Sequence, residues 1–302
     1  MSPCCAQHWK QCKKYTPLAL VGVSFVGGCC RMISHAYLAS YISRKSAVNN
    51  DITSPLSAHL HNLVTEVADN FLGTLLTPKE FADFHFYLTT QPNMYSRGST
   101  NTLPNCLIGI PEHFQYSDVA QILAENSNFT TDDINSDDRL SSCLVLSESA
   151  KKFALTSEIH ALNTYYIMFK FDFVPLLSLY CFVWDKLQKK VEKGHPLIQI
   201  VLFVGLMVAV VALGYIFEDQ YEKWRIVQGD TKTALINGEY LDGGREYLQK
   251  QIEMNKVLRY LNKNGGQMKY TEDGETVQNF FNFGIPSLHT RLENLERLRQ
   301  ET

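Results

Sequence analysis

The clearest feature of the chain is an uncharged 22-residue stretch, Pro196–Phe217, within a sequence that is otherwise mostly polar. Gln199 is its only strongly polar side chain, whereas a buried helix of a water-soluble protein normally shows a polar stripe. At about 1.5 Å of rise per residue, a helix of this length reaches roughly 33 Å, which is enough to cross the hydrocarbon core of a bilayer. The pattern predicts a membrane-spanning helix.

A second apolar stretch, Tyr165–Trp184, precedes the first and is interrupted by Lys170, Asp172 and Pro175. Lys170 and Asp172 lie two positions apart, so on a helix they point to different faces and do not pair with each other. One interpretation makes them a buried ion or proton site. The alternative, which we favour, places both at the membrane interface, with Lys170 extended towards the lipid headgroups. The stretch predicts another spanning helix, in which a neighbouring helix covers the backbone carbonyl that Pro175 leaves free.

The connector between these stretches, Asp185–His195, is short enough to force an antiparallel arrangement. The pattern therefore predicts a transmembrane helical hairpin over residues 165–217, with the lysine-rich connector on the negative side of the membrane. Three small residues, Gly205, Ala209 and Ala212, share one face of the second helix and allow another helix to approach closely. We expect their neighbour to be the first helix of the hairpin or a helix of a partner protein.

The N-terminal region is basic and contains no Asp or Glu before Asp51, although the whole chain has 31 acidic residues. Mitochondrial import signals have this character because a negative-inside potential drives import. A secretory signal is the competing interpretation, since Leu18–Cys30 is an apolar run behind basic residues; the sequon at Asn128 would then be glycosylated. The wider run Pro17–Ile33, which Arg31 interrupts, is either a marginal third span or a cleaved signal, and we favour an N-terminal anchor.

Two regions outside the apolar stretches carry most of the polar residues. The predicted elements of the first are a helix at Leu60–Leu76, a loop at Gln91–Pro104, a strand at Cys106–Ile110, an acidic loop at Asn126–Asp138 and a helix within Leu144–Leu162 that starts from Ser147. Those of the second are a hairpin at Met268–Val277 around Asp273 and Gly274, and a terminal helix with leucines at 288, 292, 295 and 298.

These elements predict a mainly α membrane protein: a two-span helical hairpin, a marginal N-terminal span, and α+β soluble regions. The predicted divisions are an import signal or N-terminal anchor at 1–46, a soluble α+β region at 47–164, the hairpin at 165–217 and a mostly helical soluble region at 218–302.

Composition and motifs give no indication of a catalytic centre. The net charge of −3 provides no general basis for nucleic-acid binding. None of the eight cysteines is spaced as CxxC, which argues against a zinc knuckle and against a disulfide framework. The chain contains no phosphate-binding loop, no dinucleotide fingerprint and no nucleophile elbow. We therefore predict no catalytic, cofactor-binding or metal-binding residues, no small-molecule substrate and no enzymatic activity.

One ordering of short motifs nevertheless resembles a membrane zinc peptidase of the CaaX-protease type. The string Thr156–Ala161 precedes the predicted hairpin, and Glu239–Gly244 follows it. Such enzymes place two histidines around a glutamate base on one helix. Glu158 matches the base, but the two ligand positions hold a serine and an alanine, and His160 is out of register. The alternatives are a degenerate zinc-peptidase-like scaffold that has lost its metal, an active relative, and a chance similarity of short strings.

Several longer strings resemble the transmembrane protein 177 family of the mitochondrial inner membrane. They are Ile108–Pro111, Leu146–Leu155 with Glu158, Gly243–Leu248, Leu258–Leu261, Gly265–Gly266 and Tyr270–Thr271. Their order and spacing around the two apolar stretches carry the resemblance, which covers most of residues 105–275.

The resemblance implies an accessory role in cytochrome c oxidase assembly. This family is associated with newly made subunit II and its dedicated membrane chaperone, which it helps to stabilise. We therefore expect a non-enzymatic, multi-pass protein of the mitochondrial inner membrane, whose partners are the lipid bilayer, cytochrome c oxidase subunit II and that chaperone. Gly205, Ala209 and Ala212 form the expected partner-contact face. The rival hypotheses are a membrane zinc metallopeptidase and a membrane protein of the secretory pathway.

Overall fold

The structure is a computed structural model that describes residues 22, 26, 47, 56–71, 84–101, 103–119, 121, 138–165, 173–191, 196–261, 265–278 and 285–301. The chain divides into two compact units, one of Met1–His35 with Tyr166–Gln220 and one of Ala36–Tyr165 with Tyr221–Thr302. The four divisions predicted from the sequence stay a prediction.

The helices and strands of the described part follow one another in a fixed order. In chain order they are α1 (Ala58–Phe71), β1 (Phe84–Thr89), β2 (Tyr95–Ser99), β3 (Leu103–Pro111), a 3₁₀ turn (Glu112–Gln115), α2 (Asp138–Leu144), α3 (Glu148–Leu162), α4 (Phe173–Val191), α5 (Pro196–Ala234), α6 (Gly238–Leu261), the short α7 (Gly266–Lys269) and α8 (Leu288–Glu301). The protein is therefore mainly helical, with a small sheet.

The helix α5 contains the predicted membrane-spanning stretch. It begins at Pro196, as the sequence predicts, and continues without a break to Ala234. Among the described helices it is the one that is long and apolar enough to cross a membrane. Most of its apolar side chains remain exposed, with Val201 at 66% and Val208 at 62%. A helix that is apolar all round and uncovered by protein needs lipid around it.

The helix α4 packs against α5 within the first unit. Tyr180 is buried and lies against Phe203 with ring centroids 5.6 Å apart, and Trp184 meets the same ring at 4.9 Å. Val210, one helical turn further on from Met207, completes the contact. Edge-to-face aromatic pairs of this kind stabilise a helix contact beyond the area they bury.

The predicted connector Asp185–His195 is wrong in its first part, because α4 continues to Val191. Lys and Gln are good helix formers, and Lys189 pairs with Asp185 one turn earlier at 3.0 Å. The helix therefore extends past the apolar stretch. Several sequence-based expectations lie outside the described residues: the charged pair Lys170 and Asp172, nearly all of Pro17–Ile33, and the sequon at Asn128.

The sheet in the second unit has the strand order β1-β3-β2. The strand β1 pairs in parallel with β3, and β2 pairs with it antiparallel. The central strand β3 contains the predicted Cys106–Ile110 run, which is buried throughout. Opposite Tyr87, any side chain at Gly109 would come within 2.9 Å of the tyrosine ring, so glycine is needed there.

The predicted loop Gln91–Pro104 is wrong over β2 and the start of β3. The sequence of β2 is polar and lacks the alternation that marks a half-buried strand. Its pairing with β3 supplies the missing stabilisation. The hydroxyls of Ser96 and Ser99 are also satisfied by distant acceptors, the Glu158 carboxylate and the Thr164 carbonyl.

The core of the second unit forms where α3 packs against α6. Ser147 caps α3 as predicted, since its hydroxyl accepts a hydrogen bond from the Ala150 N–H at 3.2 Å. Gly243 and Gly244 let α6 come close, because a methyl group at Gly244 would lie 2.5 Å from the Phe153 ring. The backbone of α6 therefore packs directly against α3, with no side chain between them at these glycines.

The C-terminal elements agree with the sequence. A hairpin-like turn brings Tyr270 opposite Thr276, with Gly274 at φ +81°. The terminal helix α8 buries Leu288 and Leu295 and packs Leu292 and Leu298 partly against the same core. Both predictions are confirmed.

Candidate functional site

The small-residue face of α5 is uncovered within the first unit. Gly205, Ala209 and Ala212 are all exposed, and no described atom lies within 4 Å of where a side chain at Gly205 would begin. The expectation that α4 is their neighbour is therefore wrong, because α4 instead packs on the face that carries Phe203 and Val210. Larger aromatic and branched side chains bury more area there. Use of the small-residue face by a partner stays a prediction.

The string that resembles a zinc-peptidase helix lies on α3 and serves other contacts. Glu158 Oε2 accepts a hydrogen bond from the Ser96 hydroxyl at 2.6 Å, and the Ser157 hydroxyl donates to Asp230 at 2.6 Å. Burial, followed by the nearby charge of Lys232, lowers the pKa of His160 to about 4, so this histidine is neutral at ordinary pH.

The later half of that resemblance does not meet Glu158. Asp242 is 64% exposed and faces Arg245 on its own helix at 3.6 Å. Among the described residues, no group of three His, Cys, Asp or Glu side chains is placed to hold a metal ion. Nothing in this geometry supports a zinc-peptidase scaffold.

A buried ion pair lies beside this segment. Arg291 on α8 donates to Asp230 on α5 from Nε at 2.6 Å and from Nη2 at 2.9 Å. The Asp230 side chain is 1% exposed and that of Arg291 is 12% exposed. Burial opposes the charge of Arg291, but the Asp230 carboxylate outweighs it and holds the pKa of the guanidinium above its usual value. With Ser157, the pair joins α3, α5 and α8.

A cavity of about 170 Å³ opens next to the ion pair, inside the second unit. Its polar lining includes Glu158, Tyr247, Gln251 and Arg291. The Gln251 amide nitrogen donates to Asn93 at 2.9 Å and to the Tyr247 hydroxyl at 3.3 Å. The Gln251 carbonyl oxygen is buried and has no partner in the described part of the chain. The apolar part of the lining comprises Met94, Ile226, Ile285, Pro286 and Leu288.

A second unusual group is the buried amine of Lys151, which is 1% exposed. It donates to the Tyr116 carbonyl at 2.8 Å. Burial lowers the pKa of this amine, and Glu148 opposes that effect. Burial and the charge of Lys151 also lower the pKa of His113 to about 3. This arrangement fastens the segment after β3 to α3.

Two curated proteins are similar to the chain over most of its length. Transmembrane protein 177 of Xenopus laevis is 27% identical over 274 residues, covering 86% of this chain and 86% of the relative. Transmembrane protein 177 of Danio rerio is 26% identical over 280 residues, covering 87% of this chain and 86% of the relative. The chain is therefore similar to the transmembrane protein 177 family over most of its length.

The resemblance to this family noted in the sequence is thereby confirmed. The similarity agrees with the exposed apolar helix α5, and both indicate a membrane protein. No protein-family model matches the chain, and no solved structure matches it.

Sequence reasoning missed Asp230, Arg291 and Gln251. For Arg291 a signal was present, because it lies three residues after Leu288 and four before Leu295, on the apolar face of the terminal helix. A charged residue on a buried face requires a partner. The identity of that partner, 61 positions away in sequence, is not readable from a local pattern.

Proposed function

We propose that the protein is a non-enzymatic accessory factor of the mitochondrial inner membrane, acting in cytochrome c oxidase biogenesis. It binds newly made subunit II and the membrane chaperone of that subunit and stabilises both. The observation that carries the proposal is the similarity to transmembrane protein 177 over 86% of the chain. The role itself comes from the family resemblance described in the sequence analysis. The basic, acid-free N-terminal region supports import into mitochondria.

The proposed topology has two spans in a helical hairpin, with an N-terminal anchor at residues 17–33. The packing of α4 on α5 through Tyr180 and Phe203 supports the hairpin. The lysines of α4, Lys186, Lys189 and Lys190, favour the matrix as the side on which the two helices connect. A tag placed after Val191 should be protected from protease in intact mitoplasts, and cleavage there would contradict the proposed orientation.

Depletion of the protein tests the proposed role. Mitochondrial translation products are labelled in a short pulse, and newly made subunit II is followed during a chase. We expect subunit II and its chaperone to decay faster after depletion, while other mitochondrial products keep their normal lifetimes. Purification of the tagged protein should recover both partners. Unchanged subunit II turnover together with no recovery of either partner would overturn the proposal.

The small-residue face of α5 is the proposed contact with a partner helix. Replacing Gly205, Ala209 and Ala212 with leucine fills the space that a close helix approach needs. We expect recovery of the partners to fall severalfold at an unchanged protein level. Val204→Leu is the matched control and should leave recovery unchanged, because Val204 is exposed but points about a quarter turn away from Gly205. Equal recovery with the triple replacement would exclude this face.

A further inference from the structure

The cavity beside the Asp230–Arg291 pair contains two acceptor oxygens that no described residue bonds. Glu158 uses Oε2 for the Ser96 hydroxyl, and no described residue bonds its Oε1. The Gln251 carbonyl oxygen also has no partner in the described part of the chain, although the residue is only 6% exposed. A buried amide oxygen without a donor costs free energy, which a ligand with N–H groups would recover.

The charge of the lining favours a cation. Two N–H groups of Arg291 donate to the Asp230 carboxylate, so the guanidinium charge is offset within the pair. Glu275 is bonded to the start of α8 through the Leu288 and His289 N–H groups. Glu158 also attracts Arg291 but has no hydrogen bond to it, and its Oε1 has no described donor. The lining therefore carries two carboxylates, Glu158 and Glu275, against the single guanidinium of Arg291.

The size and the apolar lining restrict the ligand further. At about 170 Å³ the cavity lies below the roughly 300–1,000 Å³ that holds a drug-sized ligand, which excludes a nucleotide or a whole lipid. Met94, Ile226 and Ile285 offer apolar surface alongside the polar groups. A short aliphatic stem that ends in a charged nitrogen group matches both parts of the lining.

We propose that this cavity binds a guanidinium or ammonium group on a short aliphatic stem, with Glu158 Oε1 as its anionic partner and the Gln251 carbonyl as a second acceptor. The group belongs either to a small free amine or to an arginine or lysine side chain of a partner protein. The site lies within the second unit, and its test on the purified protein does not require the proposed role in cytochrome c oxidase biogenesis.

Calorimetric titration of the purified full-length protein in a neutral detergent tests this site. The probes are n-butylguanidinium and its uncharged counterpart n-butylurea, which has the same stem and a similar planar head. We expect saturable binding of the guanidinium at least tenfold tighter than that of the urea. Equal binding of the two, or no saturable binding of any cationic probe, would overturn the proposal. This comparison uses the unmodified chain and does not depend on a variant's folding.

Two variants test whether Glu158 is the anionic partner of the bound group. Glu158→Gln removes the charge at nearly constant shape and should weaken guanidinium binding at least tenfold, whereas Glu253→Gln, on the exposed side of α6, should not change it. An unchanged affinity in a folded Glu158→Gln protein contradicts the site.

A peptide comparison identifies the source of the bound group. A blocked Gly-Arg-Gly peptide is compared with its citrulline form. Binding of the arginine peptide but not of n-butylguanidinium assigns the group to a partner's side chain, and the reverse assigns it to a free small molecule.

Discussion

At the scale of single residues, the crossing of α3 and α6 depends on positions that have no side chain. A methyl group at Gly243 would overlap the carbonyl group of Ser149, which is backbone and cannot rotate away. Gly238, at the start of the same helix, has no described atom within 4 Å of its Cβ position and is exposed. The two glycines therefore differ in packing while sharing a helix.

We expect Gly243→Ala to destabilise the protein by about 1–3 kcal/mol, because extra volume in a packed contact forces the backbone apart. Gly238→Ala should be neutral or slightly stabilising, because Gly238 is the exposed first residue of α6 and gains only part of the alanine preference of about 0.5–1 kcal/mol that applies in a helix interior. Thermal unfolding monitored by tryptophan fluorescence measures both. A Gly243→Ala protein as stable as its Gly238→Ala counterpart would contradict the close packing.

Another residue-scale feature is the carboxylate of Glu275, which caps α8 from outside the helix. Burial alone would raise the pKa of this carboxyl, but hydrogen bonds from the His289 N–H, the Ser287 hydroxyl and the His289 ring outweigh it. The pKa consequently lies below its usual value of 4.5. A depressed folded-state pKa means that the stabilisation is fully present above the unfolded-state pKa and is lost as the pH falls through the folded-state value.

We expect the unfolding temperature of the protein to fall when the pH drops below about 4.5, and Glu275→Gln to show a smaller fall over the same range. At neutral pH the variant should be less stable, because the charge that favours the start of α8 is gone. Unfolding temperatures measured from about pH 7 to about pH 3 provide the comparison. Glu253→Gln, at an exposed carboxyl, is the control; an identical acid response in both variants would show that Glu275 has no special part in it.

At the scale of elements, the ion pair of Asp230 and Arg291 fastens three helices together. Gly229 allows α5 to cross α3 closely, since a Cβ there would lie 2.7 Å from the Ser157 carbonyl oxygen. The Ser157 hydroxyl and the Arg291 guanidinium then satisfy Asp230 from two other helices. A buried charge with partners on separate elements fixes how those elements pack.

We expect Asp230→Ala or Arg291→Ala alone to cost about 3–5 kcal/mol, because each leaves a buried charge unpaired. The double replacement should cost clearly less than the sum of the two, since it removes both charges. Denaturant unfolding of the four proteins forms a double-mutant cycle that isolates the coupling. Additive effects would mean that the two charges do not stabilise each other in solution.

At the scale of the whole molecule, α5 determines that the protein belongs in a membrane. Its exposed apolar residues extend along the helix from Leu197 to Phe217, and a polar stretch with Glu218 and Asp219 follows. In a soluble protein, water would surround that surface. Leaving it exposed to water costs roughly 25 cal/mol of free energy for each Å² of apolar area. The second unit carries the packed core and the cavity.

We expect the protein to remain in the membrane pellet after alkaline carbonate extraction. Val208→Arg, near the middle of the apolar stretch, should reduce membrane retention, because an arginine at a helix centre costs about 2.5–3.5 kcal/mol on insertion. Gln220→Arg, at an exposed position beyond that stretch, should be retained like the original protein. Release of the original protein into the soluble fraction would contradict a membrane-spanning α5.

The sequence alone determined the features that depend on neighbours within one or two helical turns or along one strand. These include α5, the buried strand around Ile108, the start of α3 at Ser147 and the apolar face of α8. The tertiary structure decided the rest, because the contacts join residues far apart in the chain. The strand β2 exists through pairing with β3, Asp230 meets Arg291 from 61 positions away, and Gly205 is exposed because α4 packs on a different face of α5.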